Sequence, residues 1–164
     1  MHTILRSATR EVIIGIDRPF VMIGEKINPT GRKKLAAALS EGNLDYARQL
    51  AESQVAWGAD VLDINVGVPG LDEVAVVKKL VEMLVSVVDV PFCLDSANSQ
   101  VLAAGLAAAP GKPLVNSVSG EEKKLDTVLP LVKDRGAAVI GLTMDDNGIP
   151  KTPEERLSVA EKII

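Results

Sequence analysis

The sequence predicts an α/β protein built on a parallel sheet, and three observations carry that prediction. Five short apolar runs, each closing on a polar residue, recur at 20–25 (F-V-M-I-G-E), 61–65 (V-L-D-I-N), 91–95 (P-F-C-L-D), 113–116 (P-L-V-N) and 138–143 (A-V-I-G-L-T). An amphipathic helical stretch follows each run. Strands buried on both faces read as continuous apolar segments, and strand–helix alternation implies parallel pairing. The composition agrees: 47% hydrophobic with only 2% aromatic residues leaves Val, Leu, Ile and Ala to fill the core. Those residue types suit the interior of a parallel barrel.

At 164 residues the chain reads as one domain, 1–164, long enough to bury a substantial core. A formal net charge of −4 gives no general attraction to nucleic acid or to anionic lipid. No apolar stretch is long enough to span a bilayer. The first ten residues lack the apolar centre of a secretory signal. Cys93 is the single cysteine, which excludes an internal disulfide framework and fits a reducing, cytoplasmic compartment.

Taken in order, residues 11–24 hold two apolar runs around I-D-R-P, which predicts a hairpin turning at 17–19. Its first arm is expected to be an extra strand covering the bottom of a barrel. The loop signal N-P-T-G at 28–31 precedes helical spacing at Leu35 and Leu39, a break at 41–43, and a second stretch with Leu44, Ala47, Leu50, Ala51 and Val55. Gly58 is placed to close that helix. Val74, Val77, Val81, Leu84, Val85 and Val88 form the clearest stripe. Val101, Leu102, Gly105 and Leu106 mark a shorter helix. Leu125, Val128, Leu129 and Val132 mark another, ended by Gly136. Thr152, Pro153 and Glu155 spell a capping box with proline at the first helical position. Leu157, Ala160 and Ile164 are the expected apolar positions of that last helix.

Glu25, Asp63, Asn65, Asp95, Asn116 and Thr143 stand at the ends of the apolar runs, where parallel α/β folds place their sites. Acids and amides without a histidine point to recognition of a polar, nitrogen-rich ring rather than to nucleophilic or metal chemistry. Polar ends on every run favour a barrel over a doubly wound sheet, which concentrates them at one switch point. No Gly-rich phosphate loop follows the first run. Five units fall short of eight, and the last helix has run barely three turns at Ile164. The sequence therefore predicts a TIM (β/α)8-type barrel of which this chain holds the first five units.

Read together, I-G-E-K-I-N, L-D-I-N-V-G, C-L-D-S-A-N, V-N-S and G-L-T-M-D resemble the pterin-binding, dihydropteroate-synthase-like superfamily. Within it, the likeness is to methyltetrahydrofolate:corrinoid methyltransferases and to the folate domain of cobalamin-dependent methionine synthase. That resemblance implies pterin binding at the C-terminal mouth of the barrel, with Asp95 and Asn116 on the pterin ring. It sets Asp63 and Asn65 beside them and puts Glu25 and Asn28 in the first-strand loop. It implies transfer of the N5 methyl of methyltetrahydrofolate, the substrate, to the Co(I) of a cobalamin or other corrinoid carried by a partner protein. The asparagine expected near N5 lies beyond Ile164, so no catalytic residue is assigned within the chain, and no metal ligand either. A pterin's amino-pyrimidinone edge suits these side chains: one carboxylate accepts two parallel N–H bonds, and an amide both donates and accepts.

The rivals are a dihydropteroate synthase and a non-catalytic pterin-binding module. Against the first, the segment after the second run reads N-V-G-V-P-G-L-D, without the Ser/Thr-Arg-Pro-Gly that such an enzyme carries. Unpaired outer strands lead us to expect a homo-oligomer. Cys93 reads as a small buried hydrophobe. Lys26, Arg32, Lys33 and Lys34 read as a solvated helix start, and Asp145 and Asp146 as turn residues.

Overall fold

The computed structural model describes residues 2–164. Its elements run β1 (Thr3–Arg6), β2 (Glu11–Ile14), β3 (Ile23–Ile27), α1 (Lys33–Ser40), α2 (Asp45–Ala56), β4 (Val61–Ile64), α3 (Glu73–Val85), β5 (Phe92–Asp95), α4 (Ser99–Ala108), β6 (Leu114–Ser119), α5 (Glu122–Arg135), β7 (Ala138–Leu142) and α6 (Pro153–Ile163). Strands β3 to β7 pair in chain order, every pair parallel. This is five β/α units of a barrel, as the alternation of apolar runs and amphipathic helices predicts.

Alternation along each strand divides the core in two. Leu62, Ile64, Phe92, Leu94, Val115 and Val118 pack against Leu35, Leu39, Ala51, Val77, Leu80, Val81, Leu84, Leu102, Leu106 and Val128 of the helices. Val61, Cys93 and Leu114 face the other way and pack with Leu5 and Val12 of the hairpin. Each of these three lies at or near the start of its strand. The hairpin therefore closes the N-terminal end of the sheet and leaves the opposite end to the polar groups.

The hairpin itself corrects one expectation. Residues 11–14 do not pair with 20–24 across a turn at 17–19. They pair with Thr3–Arg6, Thr3 opposite Ile14 and Arg6 opposite Glu11. The physical reason is the partner available to each segment. Ile23 opposes Val61, the first residue of β4, so residues 20–22 have no strand beside them in the parallel ladder. Phe20 is 89% exposed, and β3 starts three residues later than the apolar run does. Asp60 anchors this entry: its carboxylate accepts from Met22 N at 3.0 Å and from Arg10 Nη2 at 2.8 Å. Asp89 accepts from the hydroxyls of Ser7 and Thr9 and ties the hairpin turn down. Gly111 (φ +65°) abuts the carbonyls of Arg6 and Ser7, where a Cβ would come within 2.3 Å of Ser7 O.

Helix faces follow the sequence with two adjustments. In α3 the buried set is Val77, Leu80, Val81 and Leu84, while Val85 is exposed. In α6 the buried residue is Val159, with Leu157 and Ile164 exposed, because the helix docks through Val159 onto Gly120 and through Ile163 near Gly141. The Thr152–Glu155 capping box forms as its spelling predicts. Gly136 ends α5 in the left-handed conformation. Arg135 then caps the end of α4, donating to the carbonyls of Leu106, Ala109 and Gly111 at 2.9, 2.6 and 3.1 Å.

Candidate functional site

Asp63 and Asn65 lie on one face near the end of β4, since alternate residues share a face. Asp95 is the last residue of β5 and stands opposite Asn116 in register. The structure corrects the position of Asn116, which is the third residue of β6 rather than its end, because β6 continues to Ser119. Strand stagger nevertheless brings it level with Asp95. The β6 ladder shifts register between Asn116 and Val118, a local irregularity of the kind that re-aims side chains.

Two amide–carboxylate pairs result. Asn65 Nδ2 donates to Asp95 Oδ2 at 2.9 Å, while Asn65 Oδ1 accepts from Gly67 N at 2.8 Å. Asn116 Nδ2 donates to Asp63 Oδ1 at 3.4 Å. Asp63 and Asn116 belong to alternate strands, which is how layers of side chains fill a parallel barrel. Four of the six residues singled out in the sequence thus form one constellation on the concave side.

Asp63 is its innermost member, 3% exposed. Its Oδ2 has no partner among the described residues. Burial pushes its carboxyl above the ordinary carboxylate range, and the facing charges of Asp95 and Glu25 push the same way, against hydrogen bonds from Cys93 and Asn116. Cys93 stands directly across the ladder from Asp63, and burial with that carboxylate raises its thiol far out of the range of a reactive thiolate. Cys93 is buried, as its reading as a small hydrophobe requires, but it also adjoins Asp63, which the sequence did not indicate.

Three concavities meet here. An inner one of about 200 Å³ is lined by Ile23, Glu25, Asp63, Cys93, Asn116 and Ile140. A second, about 210 Å³, opens at the strand ends beside Asp95, Asn116, Ser119 and Lys124. A third, about 470 Å³, is lined by Thr30, Asn65, Gly67, Ser96 and Asn98 among others. Glu25 reaches the inner one from mid-strand, not from a strand end: β3 runs on to Ile27, and its ladder is interrupted between Gly24 and Ile27. The Lys26 N–H freed there donates to Gln54 Oε1 of α2 at 2.7 Å. Asn28 does not line these concavities. Its Oδ1 accepts from Thr30 N at 3.0 Å in a local turn, and Thr30 is the loop residue that faces the mouth. Leu142 and Met144, not Thr143, border the strand-end concavity.

Lys124 is the functional-side residue that sequence reasoning missed. It reaches from α5 to the carbonyl of Ala97 and holds the loop after β5. Its only signal was a lysine one turn into an amphipathic helix, which is indistinguishable from a solvated charge. Two of the four cations near β3 lie over aromatic faces, Lys26 4.6 Å from the Trp57 ring centre and Lys34 4.1 Å from that of Tyr46, while Arg32 and Lys33 are exposed at the start of α1.

The pterin binding enzyme family matches residues 24–164, which takes in the parallel sheet from the second residue of β3 onward and every residue of the constellation. The chain belongs to that family. Among curated proteins, this pterin binding domain is 36% identical over 149 residues to methionine synthase of Mycobacterium leprae (strain TN), a match covering 88% of the chain and 12% of that protein. It is 33% identical over 153 residues to methionine synthase of Mycobacterium tuberculosis (strain ATCC 25618 / H37Rv), covering 90% and 13%. The chain thus spans about an eighth of the length of these relatives. Among solved structures, 7,8-dihydropteroate synthase from Vibrio fischeri ES114 superposes with a TM-score of 0.63 at 20% identity, over 98% of this chain and 61% of that one. This last likeness establishes the fold.

Proposed function

We propose that this domain binds the pterin ring of a reduced folate at the constellation of Asp63, Asn65, Asp95 and Asn116, and serves transfer of the N5 methyl of methyltetrahydrofolate to a corrinoid. The single observation that carries the reading is the pairing of two carboxylates with two amides in one cluster, Asp95 at its rim and Asp63 at its floor. Asp95, half-buried and already accepting from Asn65, retains acceptor capacity for the parallel N–H donors of a pterin edge. Glu25 contributes from the inner concavity, and Asn28 shapes the loop that presents Thr30. Buried hydrogen-bonding groups of this kind reject ligands that leave them unpaired.

The corrinoid, when a partner protein or domain presents it, supplies the nucleophilic metal; this chain binds the folate, orients it and excludes water. Similarity to methionine synthases supports the methyl-transfer reading over synthesis of dihydropteroate, as does N-V-G-V-P-G after β4, which carries no arginine. A cytoplasmic location accords with this reading.

Calorimetric titration with methyltetrahydrofolate tests it. The wild-type domain is expected to bind, and Asp95→Ala to lose about 1.5–3 kcal/mol, the usual worth of hydrogen bonds to a charged group. Equal heats from both proteins refute the role of Asp95. Turnover of pterin diphosphate with p-aminobenzoate would instead identify a dihydropteroate synthase.

A further inference from the structure

Asp63 lies too deep to share the ligand's edge with Asp95. It lines only the inner concavity, whereas Asp95 lines only the strand-end one. Asn116 is the one member of the constellation that lines both. Its Nδ2 is committed inward to Asp63 Oδ1, so Oδ1 is the amide atom left for whatever occupies the mouth. An asparagine amide is nearly symmetric in shape, and nothing but its partners decides which end faces a ligand.

We propose that Asp63 is a positioning residue: it holds the Asn116 amide in the one orientation that offers an acceptor, not a donor, to the ring in the mouth. This inference rests on the pterin reading and deepens it, because it explains selectivity for a heterocycle whose edge carries N–H donors. The barrel interior supports the role. Asp63 is almost fully buried and stands directly across the ladder from Cys93. Ile23 and Ile140 wall the same space with hydrocarbon, which leaves the carboxyl few partners other than Asn116, Cys93 and Glu25.

The test compares wild type, Asp63→Leu and Asp63→Asn. Leucine keeps the branched shape with somewhat larger methyl groups and accepts no hydrogen bond; asparagine keeps an acceptor oxygen for Asn116 and can turn its own NH2 toward Glu25. Two probes are titrated: pterin, and lumazine, in which the 2-amino donor is replaced by a carbonyl acceptor. Wild type is expected to prefer pterin by at least about tenfold, in line with unpaired buried polar groups. Asp63→Leu should weaken pterin binding about tenfold or more and shrink the pterin-to-lumazine ratio, while Asp63→Asn recovers most of both. An unchanged ratio in a folded Asp63→Leu protein overturns the inference.

Nuclear magnetic resonance of the Asn116 side-chain amide in the wild-type protein gives a readout that needs no variant to fold. Slow solvent exchange of its NH2 protons supports the anchor, and rapid exchange overturns it. Wild type that binds neither pterin nor methyltetrahydrofolate removes the pterin reading, and this inference with it; binding without any dependence on Asp63 removes the inference alone.

Discussion

Burial of Asp63 beside Asp95 and Glu25 gives its protonation a definite sign. Its carboxyl is held above the ordinary range by desolvation first and by those charges second. The folded protein therefore keeps this proton to higher pH than the unfolded chain, whose aspartates titrate near about 3.9. In that interval the native state binds more protons, so stability falls as pH rises from about 4 through the folded value, and the penalty persists above it. Asp63→Asn removes the penalty. The variant is expected to exceed wild type in stability at pH 7, with the advantage shrinking as both are acidified below about pH 4; urea melts at the two pH values measure it. An advantage of equal size at both would show that ionisation of Asp63 is not its source. Much of this was legible in the sequence, because alternation alone puts Asp63 and Asn65 on one face and because Asp95 and Asn116 close apolar runs. What was not legible is depth. The stagger that makes Asp63 the floor and Asp95 the rim is a property of the paired strands. So is the partnership of Asp63 with Cys93.

Elements whose signals are local were read correctly, and those whose bounds depend on a partner were not. The cap at Thr152 is spelled within four residues and forms as spelled: Thr152 Oγ1 accepts from Glu155 N at 3.2 Å, and Glu155 Oε2 accepts from Thr152 N at 3.1 Å. Helix α6 buries little besides Val159, so its cap carries an unusual share of its stability. Thr152→Ala is expected to cost about 1 kcal/mol. Because so few tertiary contacts hold the helix, the loss should appear as faster amide exchange along α6 before it appears in global unfolding. Exchange along α6 that matches wild type would assign its stability to docking instead. The hairpin shows the opposite case. I-D-R-P does form a turn, with Arg18 N donating to Gly15 O at 3.1 Å. No spacing within residues 11–24 could reveal that Thr3–Arg6 competes for β2. The apolar positions of α6 failed for the same reason, since Leu157 and Val159 are equally helical and only the docking surface chooses between them.

At the scale of the whole molecule, the parallel sheet has two edges, β3 and β7, each paired on one side only. Neither edge is blunted in the ways that keep strands apart. Ile23 on β3 and Leu142 on β7 are 39% and 42% exposed, and Phe20 and Met22 extend the apolar surface beside the first. Of the two charges on β3, Glu25 lines the inner concavity and Lys26 is drawn over Trp57, so neither stands guard along the edge. A row of unpaired backbone groups flanked by apolar side chains is a template for another strand, and with a net charge of only −4 the chains repel each other weakly. The isolated domain is therefore expected to associate with itself. In sedimentation velocity the wild-type sedimentation coefficient should rise with concentration through the micromolar range. Phe20→Lys places a charge on the exposed apolar surface beside β3, outside the concavity that holds Asp63 and Asn116, and should shift the population toward monomer. The site gives this a second readout: if association runs through β3, it lies beside Glu25, and the variant should alter self-association more than affinity for methyltetrahydrofolate. Wild type that sediments as a single monomeric species at tens of micromolar would mean that twist and the hairpin protect these edges well enough without a partner.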